Sequence, residues 1–466
     1  MKNSKLLQVI EHLDKRELRE LKPFLRSPFF NQREEVAQLF DYIVDCLYLL
    51  DIEPSKTGAH RYLKRPEPFE PQQIRYLMSW LLQLIEKYLS LSAFLEDDVG
   101  QKIALSRVYR SKGLQKHFEQ NYQKLLNQQQ QQPFRHAEFY ESQYRTELER
   151  YQFRAAQQRF VEQNLQVISD NIDLAYISRK LRQTCLSISH QTVYNTAYQF
   201  GLLEEVLQYV EKNNLLPIPA VGIYYHCFLA LRTTEEAHFN AFKKGILDHE
   251  ALFPAEELRD LYLLALNYCI RRLNDGLQHY AGEGLDLYKA GLANGVLLSD
   301  NRHLSRFTYR NIVAMALKVG DLEWVATFIR DYKSFLKSEF RESMYSFSLA
   351  RLAYQKKDYG QVLELLQRSE YSDLLLNLAA KTLMLKTFYE LREYDLLDAH
   401  LQAMKAFIRR KDLIGYHKIN YNNIIRFTQK LLNLNFNAPS EKAVLMRQIQ
   451  AEEHLTEREW LLEQLE

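Results

Sequence analysis

Arg351 and Lys386 stand thirty-five residues apart, and so do Tyr354 and Tyr389. Each basic residue precedes its tyrosine by three, which places both on one face of a helix. If the two segments are copies of one structural unit, stacking them aligns a basic column beside an aromatic one. Arg310, one helix earlier, lies near the same stripe. Arginine and tyrosine are enriched among the residues that dominate binding energy. Such a stripe suits an acidic segment or a terminal carboxylate. The plainer reading makes the tyrosines packing residues between units, because aromatic side chains at helical spacing more often lie in a core. For Arg351 and Lys386 both readings stand open.

A second candidate surface lies at residues 101–160, where eleven Lys and Arg face five Glu and no Asp. Tyr and Phe interleave with the charges in "HAEFYESQYRTELERYQFR", and Arg145, Arg150 and Arg154 are the candidate anion contacts. Cations on phosphates with aromatic rings for stacking would suit a nucleic acid. A solvated helical face is favoured, since charge runs on helices usually only solvate. The acidic counterweight sits elsewhere, in "AEEHLTEREWLLEQLE" at 451–466, with six Glu to one Arg.

Catalytic and cofactor patterns are missing. There is no phosphate-binding GxxxxGK[ST] and no HExxH. "GEGLDL" at 282–287 starts like a dinucleotide loop but has Leu287 at the third glycine's place and reads as a loop. His226 and Cys227 form an isolated pair on an expected helix, better read as a surface histidine beside a core cysteine than as a metal site, which needs three or four converging ligands. No nucleophile-elbow turn supports a Ser/His/acid triad. The expectation is a non-enzyme with no cofactor and no metal.

The elements that must carry these residues are helices. Glycine (14) and proline (11) are scarce in 466 residues, where typical usage would give roughly twice as many of each. No proline occurs between Pro133 and Pro217 or between Pro254 and Pro439. Long proline-free stretches filled by good helix formers predict an all-α chain of roughly 20 helices. A net charge of +2 gives no global argument for nucleic acid or membrane. Four widely spaced cysteines (Cys46, Cys185, Cys227, Cys269) read as reduced core residues. The first residues lack a signal-peptide pattern, and no apolar run is long enough to span a bilayer, so a cytoplasmic protein is expected.

An N-terminal helical region is expected over 1–160. "LLQVIEHL" and "LRELKPFL" read as short amphipathic helices. Pro28 ends the second, and Asn31 with Glu34 is placed to cap the next. "VAQLFDYIVDCLYLL" and "IRYLMSWLLQLIEKYLSLSAFL" read as further helices, the latter in the middle of a bundle. "NQQQQQP" at 127–133 reads as an exposed helix end and turn.

From about 160 the chain becomes repetitive. "YQKKDYGQVLELLQ" at 354–367 and "YELREYDLLDAHLQ" at 389–402 share their grammar with "AYQFGLLEEVLQYVEKN" at 197–213 and "ALKVGDLEWVATFIRDY" at 316–332. In each, a helix ends at a short polar or Gly turn. A large apolar residue follows (Leu203, Leu322, Tyr359, Tyr394), with further apolar residues three and seven positions on. The last two steps are 37 and 35 residues, and the gap from 203 to 322 leaves room for two degenerate units around "LRTTEEAHFNAF" and "HYAGEGLDLYKAGL". A period in this range marks stacked helix hairpins, each too small to bury its apolar face alone.

These units resemble tetratricopeptide repeats over roughly 190–435, most clearly over 316–405. Ala350 fits the small residue of the first helix, and "GDL" (320–322), "KDY" (357–359) and, in part, "REY" (392–394) fit the turn. Val206, Val325, Val362 and Leu397 replace the family's small residue in the second helix, and the closing proline is absent except near Pro217. The resemblance implies a right-handed α-solenoid over 161–440, followed by an acidic C-terminal helix at 441–466. It also implies a groove lined by the first helices, where Arg310, Arg351, Tyr354, Lys386 and Tyr389 would meet a protein or peptide partner. "FLRSPFFNQREEVAQLF" is similar to a stretch of helical bacterial proteins and implies no activity. The functional expectation is a scaffold or adaptor binding a partner's peptide or helix. The alternative is a nucleic-acid-associated regulator using 101–160. No membrane contact is expected.

Overall fold

The computed structural model describes residues 1–64, 67–156, 164–194, 196–233, 235–299, 301–367, 371, 373–410, 416–436 and 438–466. Those residues form 23 α-helices and no strand, with a single isolated bridge between Leu298 and Leu304. The chain is all-α. It divides into two compact units, Met1–Arg179 and Lys180–Glu466. The boundary expected near residue 160 lies outside the described residues.

The first unit contains α1 (Lys5–His12), α2 (Lys15–Leu25), α3 (Glu34–Val44), α4 (Lys56–Tyr62), α5 (Pro71–Glu96), α6 (Asp98–Ser111), α7 (Gln115–Gln131), α8 (Ala137–Ala155) and the start of α9 (Leu165–Tyr194). α5 packs against each of α1 to α4. Its Ile74, Leu77, Leu81 and Ile85 join Ile10, Leu21, Phe40 and Ile43 in one core. A smaller core under α6 to α8 stacks Phe153 on Phe118, ring centroids 3.8 Å apart. Local capping differs from expectation in one place. The capping box is at Asp14 and Glu17. Asn31 instead donates to the Leu25 and Arg33 carbonyls, closing the end of α2, and α3 starts without a side-chain cap. The glutamine run is not wholly exposed either. Gln129 is buried, donating to Thr146 Oγ1 at 3.0 Å.

The second unit continues with α10 (Leu203–Lys212), α11 (Pro219–Thr233), α12 (Glu236–His249), α13 (Ala255–Asn274), α14 (Tyr280–Ala293), α15 (Arg306–Val319), α16 (Leu322–Asp331), α17 (Ser338–Gln355), α18 (Tyr359–Gln367), α19 (Leu374–Glu390), α20 (Tyr394–Arg410), α21 (Tyr416–Leu432), α22 (Pro439–Ala451) and α23 (Arg458–Glu463). From α11 to α21 each helix packs on the next, and α15, α17 and α19 also pack in sequence on one another. Leu203, Leu322, Tyr359 and Tyr394 are each the first residue of a helix. The residues three and seven on (Val206 and Val210, Val325 and Ile329, Val362 and Leu366, Leu397 and Leu401) are all buried, as one apolar helix stripe requires. "LRTTEEAHFNAF" spans the end of α11 and the start of α12, and "HYAGEGLDLYKAGL" falls on α14. "GEGLDL" is therefore helical, not a loop. A Cβ on Gly284 would meet Met315 Sδ at 2.6 Å, so glycine there allows α14 to approach α15 closely.

The hairpin turns use left-handed backbone at equivalent places: Gly320 at φ 84°, Lys357 at 61° and Arg392 at 60°. Asp321 and Asp358 follow and bond the next helix's free N–H groups, at Trp324 N and Gln361 N. A Cβ at Gly320 meets no atom within 4 Å, so replacement by alanine carries only the conformational cost. Gly320→Ala is expected to destabilise the fold by about 1 kcal/mol, read from the urea midpoint.

Tyrosine hydroxyls cross-link neighbouring helices through carboxylates. Tyr224 donates to Glu257 at 2.8 Å, Tyr122 to Glu147 at 2.7 Å and Tyr354 to Glu390 at 3.2 Å, and Tyr225 donates to Glu211. Burial, reinforced by Glu211, pushes the Tyr225 phenol up to about 12, and burial does the same to Tyr288. A raised folded value holds these phenols neutral, so their contribution is complete below pH ~10 and is lost as pH rises from there towards 12. Phenolate absorbance should therefore rise in two steps. The exposed tyrosines titrate first, and the buried ones follow together with loss of helical circular dichroism. Smooth titration of all 30 tyrosines near pH 10 with the helices intact would contradict this.

Candidate functional site

Arg310 lies on α15, Arg351 and Tyr354 on α17, and Lys386 and Tyr389 on α19. The three-residue spacing puts each cation beside its tyrosine, and α17 packs on α19, so the pairs meet. Lys386 Nζ lies 4.8 Å from the Tyr354 ring centroid, a cation–π contact between the two columns. Tyr354 is half-buried and reaches Glu390 on α19.

The chain's own C-terminal segment closes this cluster. Residues 441–466, expected as one acidic helix, form α22 and α23, separated by a non-helical stretch at 452–457. Lys386 Nζ donates to Glu457 Oε2 at 2.6 Å, and the Lys386 side chain is only 13 % accessible. Lys318 on α15 donates to both Glu459 oxygens at 3.1 and 3.2 Å. Gln278, ahead of α14, donates to the same carboxylate at 2.9 Å. Trp460 is buried edge-on against Tyr389, centroids 5.4 Å apart, and its Nε1 donates to Glu390 at 3.0 Å. Leu461 and Leu465 join a core with residues of α19 to α22. The segment is held by three buried apolar residues, Trp460, Leu461 and Leu465, and by a row of charge-assisted hydrogen bonds.

The electrostatics are uneven. Burial alone would raise the Glu457 carboxyl, but Lys386, Arg351 and Lys318 together hold it below the ordinary carboxylate value. Burial lowers the Arg351 guanidinium, and Arg310 beside it lowers it further, against a partial offset from Glu457. Among the described residues neither Arg310 nor Arg351 has a hydrogen-bond or ion-pair partner, although both are half-buried. A cleft of about 710 Å³ opens beside Tyr389, lined among others by Tyr394, Asp398, Gln429 and Phe436.

The basic segment is less open than its composition suggests. Arg107 and Arg110 both donate to the buried Glu149 at 2.9 Å, and Arg150 pairs with Glu147 at 3.5 Å while covering the Tyr122 ring. Arg150 and Arg154 share a face of α8, while Arg145 lies roughly 140° round the helix from Arg150. Arg145 is exposed and Arg154 half-buried. Arg159 lies outside the described residues. Phe153, one of the aromatic residues proposed for stacking, is core.

Among the described residues no three His, Cys, Asp or Glu side chains could hold a metal ion together. His226 stacks on His238 with Nδ1 atoms 3.4 Å apart, and Cys227 is buried. Among the described residues no helix is long and apolar enough to cross a membrane.

The sequence reading named Arg310, Arg351, Tyr354, Lys386 and Tyr389 as a stripe but missed Lys318, Gln278 and Glu390, and above all the docked residues Glu457, Glu459 and Trp460. One signal was available: the most acidic stretch of the chain complements the basic column in charge. The described residues define an all-α chain with a cationic and aromatic cluster covered by an acidic, tryptophan-bearing segment. No protein-family model matches the chain, and neither a curated protein nor a solved structure matches it at a significant level.

Proposed function

We propose that this chain is a non-enzymatic interaction protein, a tetratricopeptide-like solenoid whose first helices line a channel for an acidic peptide or helix of a protein partner. The observation that carries the reading is the Arg310 and Arg351 pair, half-buried in the line of Lys386 and Lys318 and lacking a bonded anion among the described residues. A partner's carboxylate placed between the two guanidiniums would make the charge-assisted bonds that Glu457 does not, and would remove their mutual repulsion. The regular hairpin turns support the solenoid arrangement, because equivalent backbone at Gly320, Lys357 and Arg392 repeats one geometry from unit to unit. Four buried free cysteines suit a reducing compartment, in keeping with a cytoplasmic location.

The test compares the full chain with its Arg310→Glu/Arg351→Glu form as bait in nuclease-treated host lysate. A protein retained by the first and lost from the second is then purified and titrated against both. The reading expects such a protein, with affinity lost in the double variant while circular dichroism is unchanged. Identical capture by both baits would overturn it.

A further inference from the structure

Residues 452–466 are joined to the channel much as a bound peptide would be. Glu457, Glu459 and Trp460 meet Lys386, Lys318, Gln278 and Glu390 across sequence separations of 70 to 181 residues. We propose that this segment is an internal occupant of the channel, and that the partner is an acidic segment bearing an aromatic residue, of the Glu-x-Glu-Trp kind, which binds by displacing it. The inference rests on the channel reading above and adds the partner's chemistry and a closed resting state.

Three features favour a displaceable segment over a fixed part of the fold. First, α23 has six residues and no side-chain cap, too short to be helical except where it is docked. Second, Glu457 is held at φ 56°, in the left-handed region that a non-glycine residue enters at a cost, and the cost is relieved on release. Third, the docked segment leaves the channel's cations incompletely used. Glu457 bonds Lys386 and acts on Arg351 only at a distance, while Arg310 has no bonded anion among the described residues. A competitor that repeats the Glu457 and Trp460 contacts and adds a carboxylate for the arginine pair has an advantage over the resident segment. Trp460 and Leu461 fill an apolar seat, which is why the competitor must carry an aromatic residue.

Displacement must overcome a tethered rival, whose effective concentration is on the order of millimolar for a short linker. The apparent affinity for an incoming peptide is reduced by the small fraction of chains with the seat open. Weakening the resident segment should therefore tighten binding in trans.

The experiment measures anisotropy of a fluorescein-labelled synthetic peptide of residues 452–466 against the full chain, wild type and Glu457→Gln/Glu459→Gln. The wild type is expected to bind weakly and the variant about tenfold more tightly. Adding Arg351→Glu and Lys386→Glu to the variant should abolish the gain. Equal affinity of wild type and variant, with equal helical signal, would overturn displacement. Hydrogen exchange on the wild type gives a readout that needs no variant to fold. Amides of α23 should exchange at least about 100-fold faster than those of α19, and exchange of both only by global unfolding would overturn the proposal. If the lysate partner depends on Arg310 and Arg351 but is captured no better by the tail variant, the channel reading stands and displacement falls. If the partner depends on neither arginine, the channel reading itself falls.

Discussion

Replacing Arg351 and Lys386 together by glutamate is expected to weaken partner binding by about 2–5 kcal/mol and, at the same time, to undock α23. Losing one side of a desolvated charge pair costs that much at an interface, because the opposite charge is left without its partner. The second effect follows from the Lys386 bond to Glu457 at 2.6 Å. Reversed in sign, that position would set carboxylate against carboxylate where a cation now holds Glu457, whose side chain is 38 % accessible. From sequence alone the same double substitution is expected to leave the melting temperature nearly unchanged, as exposed substitutions do. The 13 % accessibility of Lys386 changes that expectation. The loss of protection should be confined to residues 452–466 in hydrogen exchange, with the helices from α11 to α20 unaffected. A variant that keeps both the protection and the binding would show that the column serves neither purpose.

The Arg182→Ala substitution is expected to destabilise the second unit by about 3 kcal/mol. Arg182, on α9, reaches Asp260 at 2.9 Å and Glu257 at 3.6 Å on α13. The Glu257 side chain is 5 % accessible and also accepts the Tyr224 hydroxyl. Removing the guanidinium leaves a buried carboxylate whose remaining bonded partner among the described residues is a neutral phenol, and an uncompensated buried charge is among the most damaging single changes. Glu257→Gln added to Arg182→Ala should recover part of the loss, because the group left behind is then uncharged. A urea midpoint corresponding to less than about 1 kcal/mol of loss would mean that water replaces the arginine.

Features set by local chemistry were legible in the sequence. Scarce glycine and proline imply helices, and the turn grammar locates helix starts at Leu203, Leu322, Tyr359 and Tyr394 to the residue, since a turn and the apolar stripe after it lie within a dozen positions. That period spaces Arg351 from Tyr354 and Lys386 from Tyr389 but does not contain the contact of Lys386 with the Tyr354 ring. Legibility failed where one residue type serves two purposes. Asn31 can close one helix or open the next, and here it closes α2. Gly284 can mark a loop or a close approach of helices, and Met315 makes it the latter. A glutamine run reads as solvated until Thr146 offers Gln129 a buried partner. The docked tail was missed for a different reason. Its bonds to Lys386 and Glu390 join residues 70 or more positions apart, and no window of local periodicity contains both ends. The overall charge of +2 conceals how that charge is distributed.

That same separation orders events during synthesis of the chain. Helices from α11 to α20 pack on their neighbours in sequence, so each hairpin can settle soon after it leaves the ribosome. The bond from Gln278 to Glu459 spans 181 residues, and that from Lys318 spans 141. Both must wait until nearly all of the second unit has been made. The basic and aromatic columns, complete once Tyr389 is made, stand uncovered until residues 457–460 follow.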